Sequence, residues 1–174
     1  MIKKYSFNDS FGHTNMVLRG IKTRVILPAP ADPGFAKFHI IENKLVFVDF
    51  FGKIIAEHKL PLVPCQTYKI MRPYRDFGRC DMEDSYGWRD KRAVPLSELR
   101  DEFMVYDVKY KPIEKVLDHE WISNGIGFAD GGGYCFNGVA GGLADVFPVM
   151  MMDMFHYVPK YVYVFDIGMV KKTV

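Results

Sequence analysis

The chain has 174 residues, of which 49% are hydrophobic, 25% charged and 15% aromatic. This length predicts a single domain over residues 1–174, and the apolar content excludes a disordered chain. The net charge of +2 by itself indicates no nucleic acid, membrane or acidic partner.

The first third of the chain predicts β-strands. A short apolar strand is expected at residues 24–27, before a loop rich in proline. Three strands joined by short turns then indicate a β-meander at residues 37–41, 45–51 and 54–60. The middle strand is apolar on both faces except for Asp49, which predicts a central strand that is covered on both sides.

The rest of the chain predicts a mixture of strands and short helices. Leu96, Leu99 and Phe103 are spaced as on one face of a helix, which predicts a helix over residues 95–103. Alternating apolar side chains then predict a strand over residues 104–112. The remaining predicted elements are strands at residues 66–71 and 161–167 and a short, methionine-rich helix at about residues 148–157.

These elements together predict an α+β fold with mainly antiparallel β-structure. The meander is expected to extend into a partial barrel or a sandwich, with one or two short helices. Residues 72–92 show no periodicity and are interpreted as a long polar loop or insertion within the one domain. The most apolar stretch, residues 136–152, contains Asp145 and Pro148 and therefore predicts a core segment rather than a membrane span.

Cysteine usage and charge distribution add two expectations. Cys65, Cys80 and Cys135 are odd in number and widely spaced, which indicates a reducing, cytoplasmic location. Residues 1–92 contain 16 Lys and Arg against 10 Asp and Glu, whereas residues 93–174 contain 7 against 11. This asymmetry predicts head-to-tail self-association or, if the two halves fold together, charges that mix on one surface.

The polar stretch at residues 72–92 interleaves arginine with aromatic residues and is the first candidate binding site. Arginine pairs with carboxylate or phosphate and stacks on aromatic rings, so the mixture suits a protein interface or single-stranded nucleic acid. Acids in the same stretch disfavour nucleic acid, and a solvated loop with local Arg–Asp pairs is the alternative. The predicted binding residues are Arg72, Tyr74, Arg75, Arg79, Trp88 and Arg89.

The glycine-rich run at residues 124–138 is the second candidate site. It begins with a Gly-x-Gly, but the third glycine of a dinucleotide loop is displaced and no βαβ unit surrounds it, so no cofactor is expected. An alternative interpretation places a nucleophile at Cys135 with His119 or His156 as its base. The acids at residues 81–90 do not match a calcium loop, and no metal is expected.

The absence of a strong catalytic signature leads to a functional prediction. The chain is expected to be a non-catalytic protein-binding or assembly module that contacts a protein partner or other copies of itself as a homo-oligomer, and a virus-encoded accessory, inhibitory or virion protein is the suggested context. The methionine-rich run at residues 149–155 is interpreted as core filling, or as a contact surface if exposed. The alternatives are a small hydrolase or nucleotide-processing enzyme at Cys135, and single-stranded nucleic-acid binding through residues 72–92.

Overall fold

The computed structural model describes residues 2–34, 36–128 and 132–170. These residues form strands, short α-helices and single 3₁₀ turns. The strands are β1 (Lys3–Tyr5), β2 (Arg24–Ala29), β3 (Lys37–Ile41), β4 (Lys44–Val48), β5 (Ile54–Lys59), β6 (Thr67–Ile70), β7 (Glu102–Pro112), β8 (Gly127–Phe128), β9 (Tyr134–Phe136), β10 (Val139–Gly141) and β11 (Tyr161–Met169). The helices are α1 (His13–Leu18), α2 (Asp118–Ser123) and α3 (Leu143–Phe155), and the 3₁₀ turns are Asp9–Phe11, Tyr74–Phe77, Cys80–Met82 and Ile113–Lys115.

The strands form three sheets in the described part of the chain. The largest has the order β1-β6-β7-β11-β2, and its neighbours are antiparallel except for the parallel pair of β1 and β6. The predicted meander forms a separate sheet with the order β3-β4-β5, and a small third sheet has the order β10-β9-β8. This architecture confirms the predicted α+β class with mainly antiparallel strands, and the sheets do not close into a barrel.

The five-stranded sheet is the middle layer of the fold because both of its faces are buried. Alternation along β11 sends Tyr163 and Phe165 to one face and Val162 and Val164 to the other. The first face packs on the meander, and the second packs on α2 and α3. This double coverage accounts for the apolar run at residues 161–165 of β11, which ends at Asp166.

Aromatic rings fill the space between the large sheet and the meander. Tyr110 stacks on Tyr161 with ring centroids 5.2 Å apart. Phe47 and Phe38 of the meander meet the same Tyr110 ring edge-on, at 5.6 and 5.0 Å. Phe47 and Val46, which point to opposite faces of β4, are both buried, as the predicted central strand requires.

The helices cover the other face of the large sheet. Trp121 of α2 stacks on Phe147 of α3 with ring centroids 5.0 Å apart. Met150 and Met151 are fully buried in this second core, whereas Met152 is 48% exposed. Most of the methionine-rich run therefore fills core, where flexible thioethers suit an irregular boundary between a helix and a sheet.

Two predicted elements differ from the structure. No helix forms over residues 95–103, because a single turn follows Pro95 and β7 begins at Glu102. Phe103 belongs to the alternation of that strand, so the remaining apolar spacing is too short to nucleate a helix. The helix predicted from Pro148 instead begins at Leu143 and contains that proline, since buried side chains on both sides of it hold α3 to the sheet.

The apolar stretch at residues 136–152 spans parts of β9, β10 and α3. Phe136 and Val146 are buried in the second core, as the sequence predicts for a core segment. Among the described residues, no helix combines the length and hydrophobicity needed to cross a membrane.

Residues 72–92 fold as a series of turns around a small third core. Tyr74, Val94 and Leu99 are buried in it, and Trp88 packs against them. Gly87 lies under the Tyr74 ring, where an added Cβ would be 2.6 Å from Cε2. This core could not be predicted from the sequence, because its apolar residues are dispersed among charged ones and follow no helical or strand period.

Candidate functional site

Two aromatic side chains project into solvent from the turn between β4 and β5. Phe50 and Phe51 are 86% and 90% exposed, and their rings meet edge-on with centroids 5.7 Å apart. Phenylalanine is normally among the most buried residue types, so these two adjacent exposed rings make the turn a candidate interaction surface. Residues 49–53 are referred to below as the aromatic turn.

Hydrogen bonds to Asp49 hold the aromatic turn in one conformation. The Asp49 Oδ1 accepts from the backbone N–H groups of Phe51 and Lys53, each at 2.9 Å. The Asp49 N–H donates to the Lys53 carbonyl at 2.9 Å, and the Gly52 N–H donates to the Asp49 carbonyl at 3.0 Å. Gly52 adopts a φ of +82°, which costs glycine little. These hydrogen bonds therefore fix the backbone of the turn in the isolated chain.

The surface around the aromatic turn is apolar with a basic rim. Ile54 and Ile55 at the start of β5 are about half exposed and continue the apolar surface. Lys53 belongs to the turn, and Lys37 lies opposite the end of β4. Both lysines are exposed, and neither forms an ion pair with a described residue, whereas the Asp49 carboxylate is engaged by backbone N–H groups. The surface therefore combines two aromatic rings with two lysines and one hydrogen-bonded carboxylate.

Sequence reasoning missed the aromatic turn because it assigned residues 45–51 to a single strand. In the structure β4 ends at Val48, three residues earlier. A signal was present, since Asp49 and Gly52 are typical turn-forming residues on either side of the two phenylalanines.

Two of the predicted binding arginines form contacts that stabilise the fold. Arg72 Nη1 donates to Asp101 Oδ2 at 2.7 Å, and its guanidinium lies 5.1 Å from the centroid of an aromatic ring. Arg79 pairs with Asp81 at 3.1 Å and lies over the ring of the buried Tyr74. The hydrogen bond from Arg79 lowers the pKa of Asp81. The Arg79–Asp81 pair is of the local kind that the alternative interpretation expects, whereas Asp101 lies outside residues 72–92.

The remaining predicted binding residues, apart from the buried Tyr74, are Arg75, Trp88 and Arg89. Arg75 lies 3.5 Å from Asp76 and is more than half exposed. Trp88 packs on the third core, and Arg89 is exposed and forms no ion pair with a described residue. Trp88 and Arg89 line one depression together with the acids at 83 and 84, whose charge disfavours a phosphate backbone there.

A wider depression of about 610 Å³ lies where the N-terminal segment meets the polar stretch. Lys91 Nζ donates to the Phe7 carbonyl at 2.6 Å and pairs with Asp9 at 2.8 Å. Arg92 pairs with Asp90 at 3.0 Å, and its hydrogen bonds lower the pKa of Asp90 to about 2. Most of the cations here are thus matched by acids. No cluster of histidine, cysteine or acidic residues in the described chain is placed to hold a metal ion.

The residues of the alternative enzyme interpretation lie on separate elements. Cys135 is partly buried in β9, where it pairs with Gly127. His119 is exposed on α2, and His156 ends α3 in a left-handed conformation. No hydrogen bond joins Cys135 to either histidine within the described ranges. The enzyme interpretation therefore gains no hydrogen-bonded pair among the described residues and stays a prediction.

The glycine-rich run contributes close backbone packing where it is described. Residues 129–131 of this run lie outside the described residues. An added Cβ at Gly133 would lie 3.0 Å from the Gly141 carbonyl oxygen, and Gly133 has a φ of +86°. Glycine is therefore needed for two chain segments to approach each other in the small sheet, which is the alternative to phosphate binding.

A buried polar cluster joins the start of β2 to the end of α2. Lys22 is 2% exposed, and its Nζ donates to the Asn124 carbonyl and, at 2.5 Å, to the Asn124 Oδ1. Burial lowers the pKa of Lys22 to about 7. His13 lies nearby, and burial together with the charge of Lys22 lowers the pKa of His13 to about 3. The cluster links β2 to α2, although no carboxylate of the described residues pairs with the buried Lys22 amine.

The charge asymmetry of the sequence is partly neutralised within the chain. Ion pairs connect the basic first half to acids of the second half, at Arg24–Asp166 (2.7 Å), Lys69–Glu102 (4.0 Å), Arg72–Asp101 (2.7 Å) and Arg79–Glu98 (3.5 Å). The two halves fold together, so the asymmetry gives no separate support to head-to-tail association.

Comparisons with known proteins were made at three levels. The chain matches no protein-family model, and neither the curated proteins nor the solved structures yield a match.

Proposed function

We propose that the protein is a non-catalytic protein-binding module that contacts its partner through the aromatic turn. The observation that carries this proposal is the exposure of Phe50 and Phe51 on a turn that is already rigid. Exposed aromatic anchors dominate binding energy at protein interfaces, and a preformed turn lowers the entropic cost of binding.

The shape and charge of the aromatic turn indicate what the partner presents. The two rings project from the surface, so the partner supplies an apolar pocket that encloses them. Lys37 and Lys53 lie beside the rings without acidic partners in the described chain, so we expect acidic residues at the rim of that pocket.

The proposed location is a reducing compartment such as the cytoplasm. Cys65, Cys80 and Cys135 are all free, and two of them are exposed. Exposed free thiols are typical of proteins that are kept reduced.

Photo-crosslinking at the aromatic turn tests this proposal. Benzoylphenylalanine is placed at Phe51 in one variant and at Tyr86, an exposed aromatic residue of the polar stretch, in a control. We expect a discrete protein adduct from position 51 in an extract of the source organism, competed by unmodified protein but not by the double variant Phe50→Ser/Phe51→Ser. Equal adducts from both positions would contradict the proposal.

A vesicle arm separates protein binding from membrane binding. Aromatic rings beside lysines also suit an anionic lipid surface. We expect the protein to stay in the supernatant when vesicles of phosphatidylserine and phosphatidylcholine are sedimented. Co-sedimentation that the double variant abolishes would assign the turn to lipid and overturn the proposal.

A further inference from the structure

The edge of the meander formed by β3 is unpaired in the described residues. Ile41 pairs with Lys44 across a two-residue turn, so these two residues form a hydrogen-bonded pair and every second pair after them does too. On its other side, β4 forms its hydrogen bonds to β5 through the alternate residues, which agrees with this pattern. The backbone N–H and C=O groups of Phe38 and Ile40 therefore point away from β4 into solvent.

The other strand edges in the described chain carry features that block pairing. β2 contains Pro28, which has no N–H, and β5 is interrupted by a bulge near its start. β1, β8 and β10 have only two or three residues each. In contrast, β3 is regular, has five residues without proline, and leaves four of their side chains exposed. It is the edge best suited to accept a further strand.

We propose that β3 pairs antiparallel with β3 of a second copy of this chain, so that two meanders form one six-stranded sheet. The two-fold axis passes through His39, the register in which all five residues of β3 are paired. Phe38 then lies opposite Ile40 of the second copy, and Ile40 lies opposite Phe38 of the second copy. Their outward backbone groups form four hydrogen bonds, two for each pair.

The side chains of β3 complement each other in this register. Phe38 faces the large sheet yet is 44% exposed, so that sheet does not cover the edge, and Ile40 of the second copy covers the ring instead. On the other face, Lys37 lies opposite Ile41 of the second copy, beside the acidic Glu42 that follows it. Both contacts occur twice by symmetry, which favours a second copy over an unrelated extended peptide.

The size of this contact predicts a weak dimer. It uses five strand residues from each copy, compared with about 20–30 residues on each side of a stable interface. We therefore expect a concentration-dependent equilibrium between monomer and dimer. This inference goes beyond the proposed function, because the backbone groups of Phe38 and Ile40 that would pair the strands lie outside the aromatic turn, although Lys37 borders both surfaces.

A designed disulfide tests the register directly. His39 lies on the axis in a non-hydrogen-bonded pair, where the two Cα atoms are about 4.5 Å apart and within disulfide range. The variant His39→Cys is made with Cys65→Ser and Cys80→Ser, which remove the exposed thiols. Lys59→Cys in the same background is the control, because Lys59 is exposed on the opposite edge of the meander.

In the proposed register the Cα atoms of the two residues at position 39 lie within disulfide range. Oxidised glutathione should therefore convert His39→Cys to a covalent dimer about tenfold faster than the Lys59→Cys control. Unmodified protein should show a dimer at high concentration in sedimentation velocity. Equal crosslinking rates, or a monomer at all concentrations, would overturn the proposal. Crosslinking of His39→Cys that persists with Phe50→Ser/Phe51→Ser would show that pairing does not require the aromatic turn.

Discussion

The buried amine of Lys22 makes the stability of the protein depend on pH. Burial lowers the pKa of Lys22 to about 7 in the folded chain, whereas an unfolded lysine has a pKa of about 10.4. Between these values the unfolded chain holds a proton that the folded chain has released. Stability therefore rises with pH across this window, and the penalty is greatest below the folded pKa.

The size of the effect follows from this difference in proton binding. One proton changes the free energy of unfolding by about 1.4 kcal/mol per pH unit. From pH 7.5 to 9 the gain is about 2 kcal/mol, because Lys22 is already partly neutral at the lower limit. Burial lowers the pKa of His13 to about 3 and raises the pKa of Tyr5 and Tyr163 to about 12, so these groups contribute little within the window.

Urea unfolding at several pH values, followed by circular dichroism, measures this slope. At an m-value of roughly 2 kcal/mol/M, the wild-type midpoint should rise by roughly 1 M between pH 7.5 and 9. The variant Lys22→Met should lose this rise, although it leaves the Asn124 carbonyl without its donor. Lys59→Met, at an exposed lysine, should keep it. The same pH dependence in wild type and Lys22→Met would refute the reasoning.

Two further predictions concern the packing of the fold. Lys111→Met removes the cation that pairs at 2.8 Å with Glu120, which is 2% exposed. The variant should be less stable than wild type by about 3 kcal/mol in urea unfolding, because it leaves a buried carboxylate unpaired. Lys44→Met breaks an exposed pair and should cost less than about 1 kcal/mol, so similar losses would contradict the role of burial. Met150→Ala removes a fully buried side chain and should lower the free energy of unfolding by about 2–5 kcal/mol. Met152→Ala should change it by less than about 0.5 kcal/mol, and equal effects would show that the methionine run is not core.

The meander and the two longest strands could be predicted because their periodicity is local. Turn residues separate β3, β4 and β5, and alternation along β7 is visible in the sequence. The helices α1 and α2 have six residues each, too few to show a helical period. Phe103 completed an apparent helical spacing although it belongs to a strand, because apolar residues at short range fit more than one period.

The candidate site was harder to predict than the fold because exposure depends on tertiary structure. In the sequence, Phe50 and Phe51 extend the apolar run of β4 and are therefore predicted as part of that strand, whereas the structure begins a turn at Asp49. The arginines of residues 72–92 read as free binding groups, yet Arg72 and Arg79 pair with acids, including two that lie more than fifteen residues away. Sequence spacing does not reveal such long-range pairs.

The affinity of the crosslinked partner for the aromatic turn tests the central claim most directly. Partner recovered from the Phe51 crosslink is titrated by isothermal calorimetry with wild type, with Phe50→Ser/Phe51→Ser and with Tyr86→Ser. Because hot-spot aromatics contribute about 2 kcal/mol or more each, the double variant should bind at least ~100-fold more weakly, with unchanged stability in urea. Tyr86→Ser should bind like wild type. An affinity unchanged in the double variant would contradict the account.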